Sequence, residues 1–393
     1  MKKADFDGSQ SRRLAPTERG QWAFVPHPLP PSGLDLAVLA DPIAQAAQAL
    51  GELDGIGRTL PDPYLLIRPL QLQEALTSSS MEGTYTTLGD LLLVEAGAGE
   101  QSRAPDTREV LNYRRALSAA IESLNQFPLS LRTLRDAHAT LLRGVPKQRG
   151  ANIRPGEFKQ HQNFIGAYEI ENARFVPPPP AQAMNCMSDL EKFIHRDDRN
   201  GLPTLVDAAL IHYQFETIHP FADGNGRTGR MLITLHLFAA KLIKLPVHYL
   251  SPTLERHKDE YIDRMYAVSK TGDWIGWICF FLSMVSQSCH AAIETADRLL
   301  AVQRDYRTRL QKAGRSANLL TIVDLLFQSP ILSIPQIAER LGVTYRSAQL
   351  NVGTLVSANV LQELAGASNP KYFAAGEILN AISGATDDAR PPA

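Results

Sequence analysis

Apolar residues spaced three and four positions apart recur through the middle of the chain, and this periodicity constrains the fold more than any other feature. Such spacing puts the apolar side chains on one face of a helix, and that face must be buried against a neighbour. Only one stretch among these segments, 163–176, has the composition of extended structure. A mainly α-helical fold is therefore predicted, with helices at 109–124, 130–142, 180–195, 205–216, 227–242 and 256–269.

The extended stretch 163–176 is interrupted by Gly166 and closed by four prolines, Pro177 to Pro180. A short segment with two extended arms is typical of a β-hairpin. Because helices precede and follow it, the hairpin cannot belong to a large sheet, and we expect it at the surface.

Composition and periodicity divide the chain into five regions. In order, they are a flexible, proline-rich N-terminus, an N-terminal helical segment, the main helical region, three short helices with a hairpin, and a disordered tail. Three short helices and a hairpin describe a winged helix-turn-helix. The predicted boundaries are 1–35, 36–104, 105–310, 315–380 and 381–393.

Composition also limits the class of protein. The 393 residues are 44% hydrophobic and 21% charged, as in globular proteins with a substantial core. The 40 basic and 41 acidic residues disfavour a strongly basic nucleic-acid-binding surface. The three cysteines show neither disulfide nor zinc spacing, so we expect a reducing, cytoplasmic location.

No secretory signal is recognisable in the sequence. The longest apolar run, 274–285, is too short to span a bilayer, so we expect a core helix and no membrane association.

One segment of twelve residues, HPFADGNGRTGR at 219–230, combines the groups that phosphate chemistry requires. Gly224 and Gly226 lie in a loop that opens a helix, so consecutive backbone N–H groups can face one anion. The helix dipole adds partial positive charge at that point. The loop is therefore predicted to bind phosphate.

The charged residues of the segment fit the same chemistry. Arg227 and Arg230 lie three apart in the first helical turn, where cations oppose the helix dipole and are better explained as phosphate ligands. Asp223 offers hard oxygen ligands suited to Mg²⁺ bound to those phosphates. His219 is placed to act as a general base towards a hydroxyl. Each residue alone has an ordinary structural explanation, but the clustering favours a catalytic site.

The segment resembles the Fic-domain pattern HxFx(D/E)GNGRxxR and fits it at every defined position. The resemblance covers roughly 105–265, and the residues upstream resemble the N-terminal segment of long Fic proteins. It implies a helical Fic core with a small β-hairpin flap. It also implies transfer of AMP from ATP to a Ser, Thr or Tyr hydroxyl of a protein, including the chain itself, with release of pyrophosphate.

The resemblance assigns the chemistry of the motif residue by residue. His219 would deprotonate the target hydroxyl, Asp223 would hold Mg²⁺, and Phe221 would anchor the loop in the core. Relatives that phosphorylate with the nucleotide reversed depart from the GNGR part of the pattern. This chain keeps it, so AMP transfer is expected in preference to phosphorylation.

Five further residues would bind the phosphates of ATP. Those lining the anion hole for the α- and β-phosphates would be Gly224, Asn225 and Gly226. Arg227 would hold the phosphates, and Arg230 would reach the γ-phosphate.

The sequence SSSMEG at 78–83 matches the inhibitory motif of the family, (S/T)xxxE(G/N), through Ser78, Glu82 and Gly83. It lies at the end of a helix predicted over 69–80. The resemblance implies that Glu82 pairs with Arg230 and so occupies the guanidinium that should receive the γ-phosphate. An alternative stays open, in which the fold removes AMP from modified proteins and Glu82 orients the attacking water.

The predicted hairpin resembles the flap of the family, along which an extended target segment would bind through main-chain hydrogen bonds. The flap residues would be Phe164, Ile165, Gly166, Phe175 and Val176. The stretch 251–265 resembles the helix that closes the adenine side, with His257 and Tyr261 as candidates for nucleotide binding.

The predicted winged helix suggests a second class of function, a DNA-binding regulator with the Fic domain as an accessory. Between residues 316 and 376, however, three basic residues balance three acidic ones, so this region can neutralise few phosphates. Scaffolding, formation of a homodimer or docking of the protein target is therefore favoured over DNA binding.

Overall fold

The computed structural model describes residues 1–59, 63–99, 105–145, 154–199, 201–313, 317–364 and 370–384. The described residues form a mainly α-helical protein with a few short strands, as predicted. The helices, α1 to α16 in order, are Gly8–Ser11, Leu36–Thr59, Tyr64–Ser80, Leu88–Glu95, Pro105–Ser123, Leu131–Leu141, Pro180–Ile194, Thr204–Ile218, Asn225–Ala239, Ser251–Arg256, Lys258–Thr271, Trp274–Ala313, Ala317–Gln328, Ile334–Leu341, Tyr345–Ser357 and Gly376–Ser383. The strands, β1 to β5, are Leu14–Pro16, Trp22–Phe24, Ile331–Ser333, Gln362–Glu363 and Tyr372–Ala374.

Helices α8 and α9 form the centre of the main core. Both are buried on nearly all sides, and their buried residues include polar ones such as His212 in α8 and Arg230 in α9. Helix α12 packs against α8 and runs along α2. The fully buried Trp277 fixes this packing, because its indole N–H donates to Ala209 O at 3.0 Å. The loop between α8 and α9, which carries the HPFADG sequence at 219–224, is thus held between two buried helices.

The apolar run at 274–285 is the beginning of a much longer helix, α12. Its segment Trp274–Gln311 is long and apolar enough to cross a membrane, with a mean hydropathy of 1.3 in its most apolar window. However, 56% of that window is buried inside the protein, as in the core helices of globular proteins.

Several predicted helix boundaries differ from the structure, by up to five residues. Helix α3 begins at Tyr64 and not at Pro69, because a regular turn precedes the proline, with Ile67 N donating to Pro63 O at 3.1 Å. The helix predicted at 256–269 is α11, which begins at Lys258; a short helix, α10, precedes it, and the backbone leaves helical geometry at His257 between the two.

Residues 1–35 are folded against the protein, which corrects the prediction of a flexible N-terminus. Strands β1 and β2 form an antiparallel ribbon in which Leu14 lies opposite Phe24. Phe24 N donates to Val176 O at 2.9 Å, and the terminal ammonium of Met1 donates to Ala173 O at 2.8 Å. The N-terminus therefore packs on the end of the predicted hairpin.

The predicted hairpin at 163–176 is also corrected. In place of two paired strands, the structure has one isolated bridge between Ile165 and Phe175, with a 3-10 turn at Ile170–Asn172 between them. The physical reason is that Val176 O accepts its hydrogen bond from strand β2 and not from the opposite arm. The four following prolines also lack the N–H groups that would extend a ladder.

The C-terminal region has its own core, formed by α13 to α16, strands β3 and β5 and the end of α12. The strands form an antiparallel sheet in the order β3-β5-β4. Strand β3 and helix α16 were not predicted, and α16 occupies 376–383, including part of the predicted tail; residues 385–393 lie outside the described residues. The order of helices and strands agrees with the sequence interpretation, and the assignment as a winged helix stays a prediction.

Candidate active site

A cavity of about 460 Å³ lies between the end of α3, the loop that joins α8 to α9, helix α11 and the segment 163–176. Eight of the residues predicted from the sequence line this cavity. They are Glu82, Ile165, Gly166, Phe175, His219, Gly226, Arg230 and Tyr261.

His219 lies directly after helix α8, in the left-handed region of backbone space with φ +48°. Few residues other than glycine adopt this conformation. The imidazole Nδ1 lies 3.3 Å from Glu216 O and donates to it, so the Nε2 lone pair is left to accept a proton. Burial, followed by the nearby Lys159 ammonium, lowers the pKa of His219 to about 4. The imidazole is therefore neutral at pH 7.

Asn225 shapes the loop with its side chain. Its Oδ1 accepts from Phe221 N and its Nδ2 donates to Phe221 O, both at 2.8 Å. The ring of Phe221 is fully buried and stacks on the His138 ring with 3.8 Å between centroids, which is the anchoring position that the resemblance implied. Since both polar groups of the Asn225 side chain bind the loop, only its backbone N–H is left to contribute to an anion hole.

His138 also stabilises this loop, through hydrogen bonds of both of its ring nitrogens. Gly156 N donates to its Nδ1 at 2.9 Å, so the proton of the neutral ring is on Nε2, which donates to Asp223 O at 2.9 Å. Burial lowers the pKa of His138 to about 4, which keeps this tautomer at neutral pH. A neutral histidine thus fixes the main chain at Asp223.

The N-terminus of α9 is built to approach an anion closely. Gly224 precedes the helix with φ +75°, a conformation that glycine adopts without strain. The N–H groups of the first helical turn have no acceptor within the helix. A Cβ atom at Gly226 would lie 2.1 Å from Glu82 Oε1, so only glycine leaves room for the carboxylate at this point.

Arg230 lines the cavity and is held by Ser78 and Glu82, two residues of the predicted inhibitory motif. Its Nε donates to Ser78 Oγ, and its Nη2 donates to Ser78 O and to Glu82 Oε1, each at 2.8 Å. Burial alone would raise the pKa of Glu82, but the Arg230 guanidinium more than offsets it and the pKa is lowered. Glu82 is therefore ionised and paired with Arg230. Gly83 follows in a left-handed turn, with φ +79°.

Arg227 does not line the cavity, which corrects its expected contact with the phosphates. It is fully buried, and its Nη1 forms an ion pair with Glu109 of helix α5. Its Nη2 lies 3.9 Å from Asp223 Oδ1. The sequence shows that Arg227 and Arg230 share a helical turn, but it does not show that a buried carboxylate on another helix binds the first of them.

Asp223 has a free acceptor that suits a metal ion. Its Oδ1 accepts from Gly224 N at 2.7 Å, whereas its Oδ2 is buried without a hydrogen-bond partner. Among the described residues no group of three or more acidic, histidine or cysteine side chains converges on a metal position. Mg²⁺ commonly takes one or two carboxylates and completes its shell with water and substrate phosphates. The residues present fit an ion bound in that way.

The remaining predicted residues are only partly brought to the cavity. Tyr261 lines it, and its OH lies 2.8 Å from His212 Nε2. His257 is not among the lining residues and lies in the break between α10 and α11, whereas Lys258 takes the place beside the cavity. Of the predicted flap, Phe164 and Val176 face the cluster around Ala23 and not the cavity.

Sequence reasoning missed Glu216, one helical turn before His219. Its side chain lines the cavity, and its Oε1 is buried without a hydrogen-bond partner. Burial raises the pKa of Glu216 to about 8, with Arg230 acting in the opposite direction. The available signal was its position three residues before the histidine, which puts both side chains at one end of the same helix.

Comparisons with known proteins agree with this geometry. Residues 40–122 match the Fic/DOC family N-terminal region, and residues 128–237 match the Fic/DOC family. The chain is 30% identical over 166 residues to the protein adenylyltransferase Fic of Drosophila mojavensis, which is 42% of this chain but 31% of that protein. The match thus spans about a third of the length of this relative.

Solved structures share the fold. A Fic family protein from Desulfovibrio desulfuricans aligns with a TM-score of 0.55 at 18% identity, over 92% of this chain and 99% of that one. A Fic domain containing signaling protein from Bacteroides thetaiotaomicron aligns with a TM-score of 0.51 at 21% identity, over 65% of this chain and 97% of that one. Residues 128–237 of this chain therefore form a Fic/DOC domain, and residues 40–122 before it form the N-terminal region of the same family.

Proposed function

We propose that this chain is a protein adenylyltransferase, which moves AMP from ATP to a Ser, Thr or Tyr hydroxyl of a protein. The observation that carries the proposal is one cavity that presents a neutral imidazole, the free N–H groups at the start of α9 and the guanidinium of Arg230. The imidazole suits the hydroxyl of the target, the N–H groups suit the α-phosphate, and the guanidinium suits the terminal phosphate.

The chemistry follows from these groups. The Nε2 of His219 accepts the proton of the target hydroxyl, which makes its oxygen a competent nucleophile. That oxygen attacks the α-phosphorus in line, the bond to the bridging oxygen breaks, and pyrophosphate leaves. The N–H groups of Asn225 and Gly226 stabilise the charge on the non-bridging oxygens. Arg230 binds the terminal phosphate and so fixes the alignment of the triphosphate.

A magnesium ion fits this reaction at Asp223. The unpartnered Oδ2 would bind it together with phosphate oxygens of the nucleotide. The ion would neutralise charge on the triphosphate and on the leaving pyrophosphate. Asp223 itself is kept in place by Gly224 N and, through its main chain, by His138.

Glu82 inhibits the enzyme in this proposal. Its carboxylate occupies Arg230 and lies against Gly226, where the phosphates would approach the start of α9. Helix α3, which carries the motif, is held in the core by the buried Glu74, which accepts from Tyr113 OH at 2.7 Å and from Ser251 Oγ at 2.6 Å. Relief of inhibition would therefore require release of the Glu82 side chain and no unfolding of α3.

The reaction class is tested with ATP labelled either at the α- or at the γ-phosphate, in the presence of Mg²⁺. We expect protein-bound label from the α position only, and none in a His219→Ala variant. Label from the γ position only would mean phosphorylation and would refute the proposal.

Removal of AMP from modified proteins is a second candidate, and the ionised Glu82 favours it. This carboxylate lies in the same cavity as His219 and is 37% exposed, so it can accept a hydrogen bond from an attacking water. AMP-modified protein, offered to the parent and to Glu82→Ala, separates the two functions. Loss of AMP release in Glu82→Ala supports hydrolysis, whereas AMP transfer that rises in the same variant supports inhibition.

A further inference from the structure

The four consecutive main-chain carbonyls of residues 218–221 accept hydrogen bonds from the short segment 159–163. Lys159 supplies two of these bonds. Its backbone N–H donates to Pro220 O at 2.7 Å, and its Nζ donates to Ile218 O at 3.2 Å. A single residue thus holds the chain on both sides of His219.

Asn163 supplies the other two bonds. Its Nδ2 donates to His219 O at 2.9 Å and to Phe221 O at 3.0 Å. Its Oδ1 accepts from Lys159 Nζ at 2.7 Å, which fixes the orientation of the amide. Lys159 and Asn163 therefore form one connected network around the histidine.

The backbone of His219 needs such support. A residue other than glycine with φ +48° is strained by about 1–2 kcal/mol, and this conformation persists only where the surroundings over-determine it. None of the four hydrogen bonds involves the imidazole, so its ring stays free for chemistry. Lys159 is only 6% exposed, and a buried ammonium is rarely retained without a role.

We propose that Lys159 and Asn163 are positioning residues for His219, which hold the main chain of residues 218–221 in the conformation that directs the imidazole into the cavity. The inference rests on the proposed function, in which His219 is the general base. Because Asn163 begins the segment 163–176, which borders the cavity, the same network also holds the start of that segment next to the base.

Lys159 acts on the imidazole electrostatically as well. Burial lowers the pKa of Lys159 to about 7, with Cys186 facing it and acting in the opposite direction, so the ammonium is charged in acid solution. After burial, this charge is the largest cause of the lowered pKa of His219. The carboxylates that face His219, Glu82 and Asp223, raise its pKa. Removing the ammonium should therefore let His219 bind a proton at higher pH.

The first test is an NMR titration of the histidine ring resonances in the full chain, with His219→Ala used for assignment. In Lys159→Met we expect the midpoint of His219 to move to higher pH by about half a unit or more. Lys159→Arg, which keeps the charge, should restore the parent midpoint. A midpoint that is unchanged in Lys159→Met would overturn the role of Lys159. This readout needs no AMP transfer, so it holds even where the proposed function fails.

The second test measures self-modification with labelled ATP in a Glu82→Ala background. Asn163→Ala should lower kcat at least about tenfold and leave the KM for ATP within about twofold, because the base is displaced and the nucleotide site is not. Asn112→Ala is the matched control, since the buried Asn112 amide likewise donates to two carbonyls, those of Leu141 and Arg143. An equal loss of kcat in both variants would overturn the positioning role. If Asn163→Ala does not fold, Asn163→Asp removes the same two donors at constant size and is measured instead.

Discussion

The ion pair between Glu82 and Arg230 makes a quantitative prediction about nucleotide binding. Arg230 Nη2 and Glu82 Oε1 are 2.8 Å apart, and a hydrogen bond between charged groups contributes about 1.5–3 kcal/mol. Because 37% of the Glu82 side chain is exposed, solvent screening reduces this to about 1–2 kcal/mol. A γ-phosphate that binds Arg230 must first displace Glu82. Glu82→Ala should therefore tighten the binding of a non-hydrolysable ATP analogue about five- to thirtyfold.

Removing Glu82 should leave Arg230 in position. Its Nε and Nη2 keep their hydrogen bonds to Ser78, which is fully buried on α3. The guanidinium is thus freed for the phosphate and does not collapse into the space that the carboxylate leaves. Since AMP has no γ-phosphate to bind Arg230, its affinity should rise less than that of the ATP analogue.

Isothermal titration calorimetry with the ATP analogue and with AMP measures both affinities. Glu255→Ala is the control variant, because Glu255 is exposed and accepts from Ser80 Oγ at 3.1 Å, so its loss removes a charge beside the same motif without touching Arg230. Equal tightening for both nucleotides, or an unchanged affinity for the ATP analogue, would refute the reasoning.

Three further predictions concern stability. Gly224→Ala should lower the free energy of unfolding by about 1–2 kcal/mol in a urea titration, because the residue has φ +75° and a Cβ would lie 3.3 Å from Leu141 Cδ2; no loss would contradict the need for glycine. Tyr306→Phe should leave the free energy of unfolding unchanged or raise it by up to about 1 kcal/mol, because the Tyr306 hydroxyl is buried without a partner, and a clear loss would reveal one. Thermal melts should show stability falling from pH 7 to pH 5.5, by about 1 kcal/mol for each buried histidine, because the unfolded chain binds protons that the folded chain does not. Burial lowers the pKa to about 3 for His212 and to about 4 for His138, His219, His236 and His248, and the raised pKa of Glu216 offsets only part of their effect.

Much of the fold follows from local sequence. Apolar periodicity located the helices α5 to α9 to within a few residues, because their buried faces repeat at helical spacing. It could not show that the segment 163–176 pairs with strand β2, since that pairing joins Phe24 to Val176 across about 150 residues of chain. For the same reason the N-terminus was predicted to be flexible, although its two strands pack on that segment.

The candidate site likewise depends partly on local sequence and partly on contacts between distant parts of the chain. His219, Gly226 and Arg230 reach one cavity because a short loop and one helical turn connect them, so the sequence motif is sufficient to bring them together. Arg227 belongs to the same motif but is bound by Glu109, whose helix lies more than a hundred residues earlier, and no local pattern indicates that contact.

The hydrogen bonds of Lys159 and Asn163 show what a motif leaves undetermined. The twelve residues from His219 to Arg230 fix which groups are present, but the strained backbone of His219 is stable only because donors about sixty residues earlier bind the carbonyls on either side of it. Lys159 lies outside every predicted helix and strand, and Asn163 is only the first residue of the predicted hairpin, so neither residue indicates a contact with the motif from its sequence position. Their function arises only when the chain folds back on the motif. The burial of Lys159 is therefore a stronger sign of a role at the site than its position in the sequence. Burial of an ammonium without such a role would destabilise the fold.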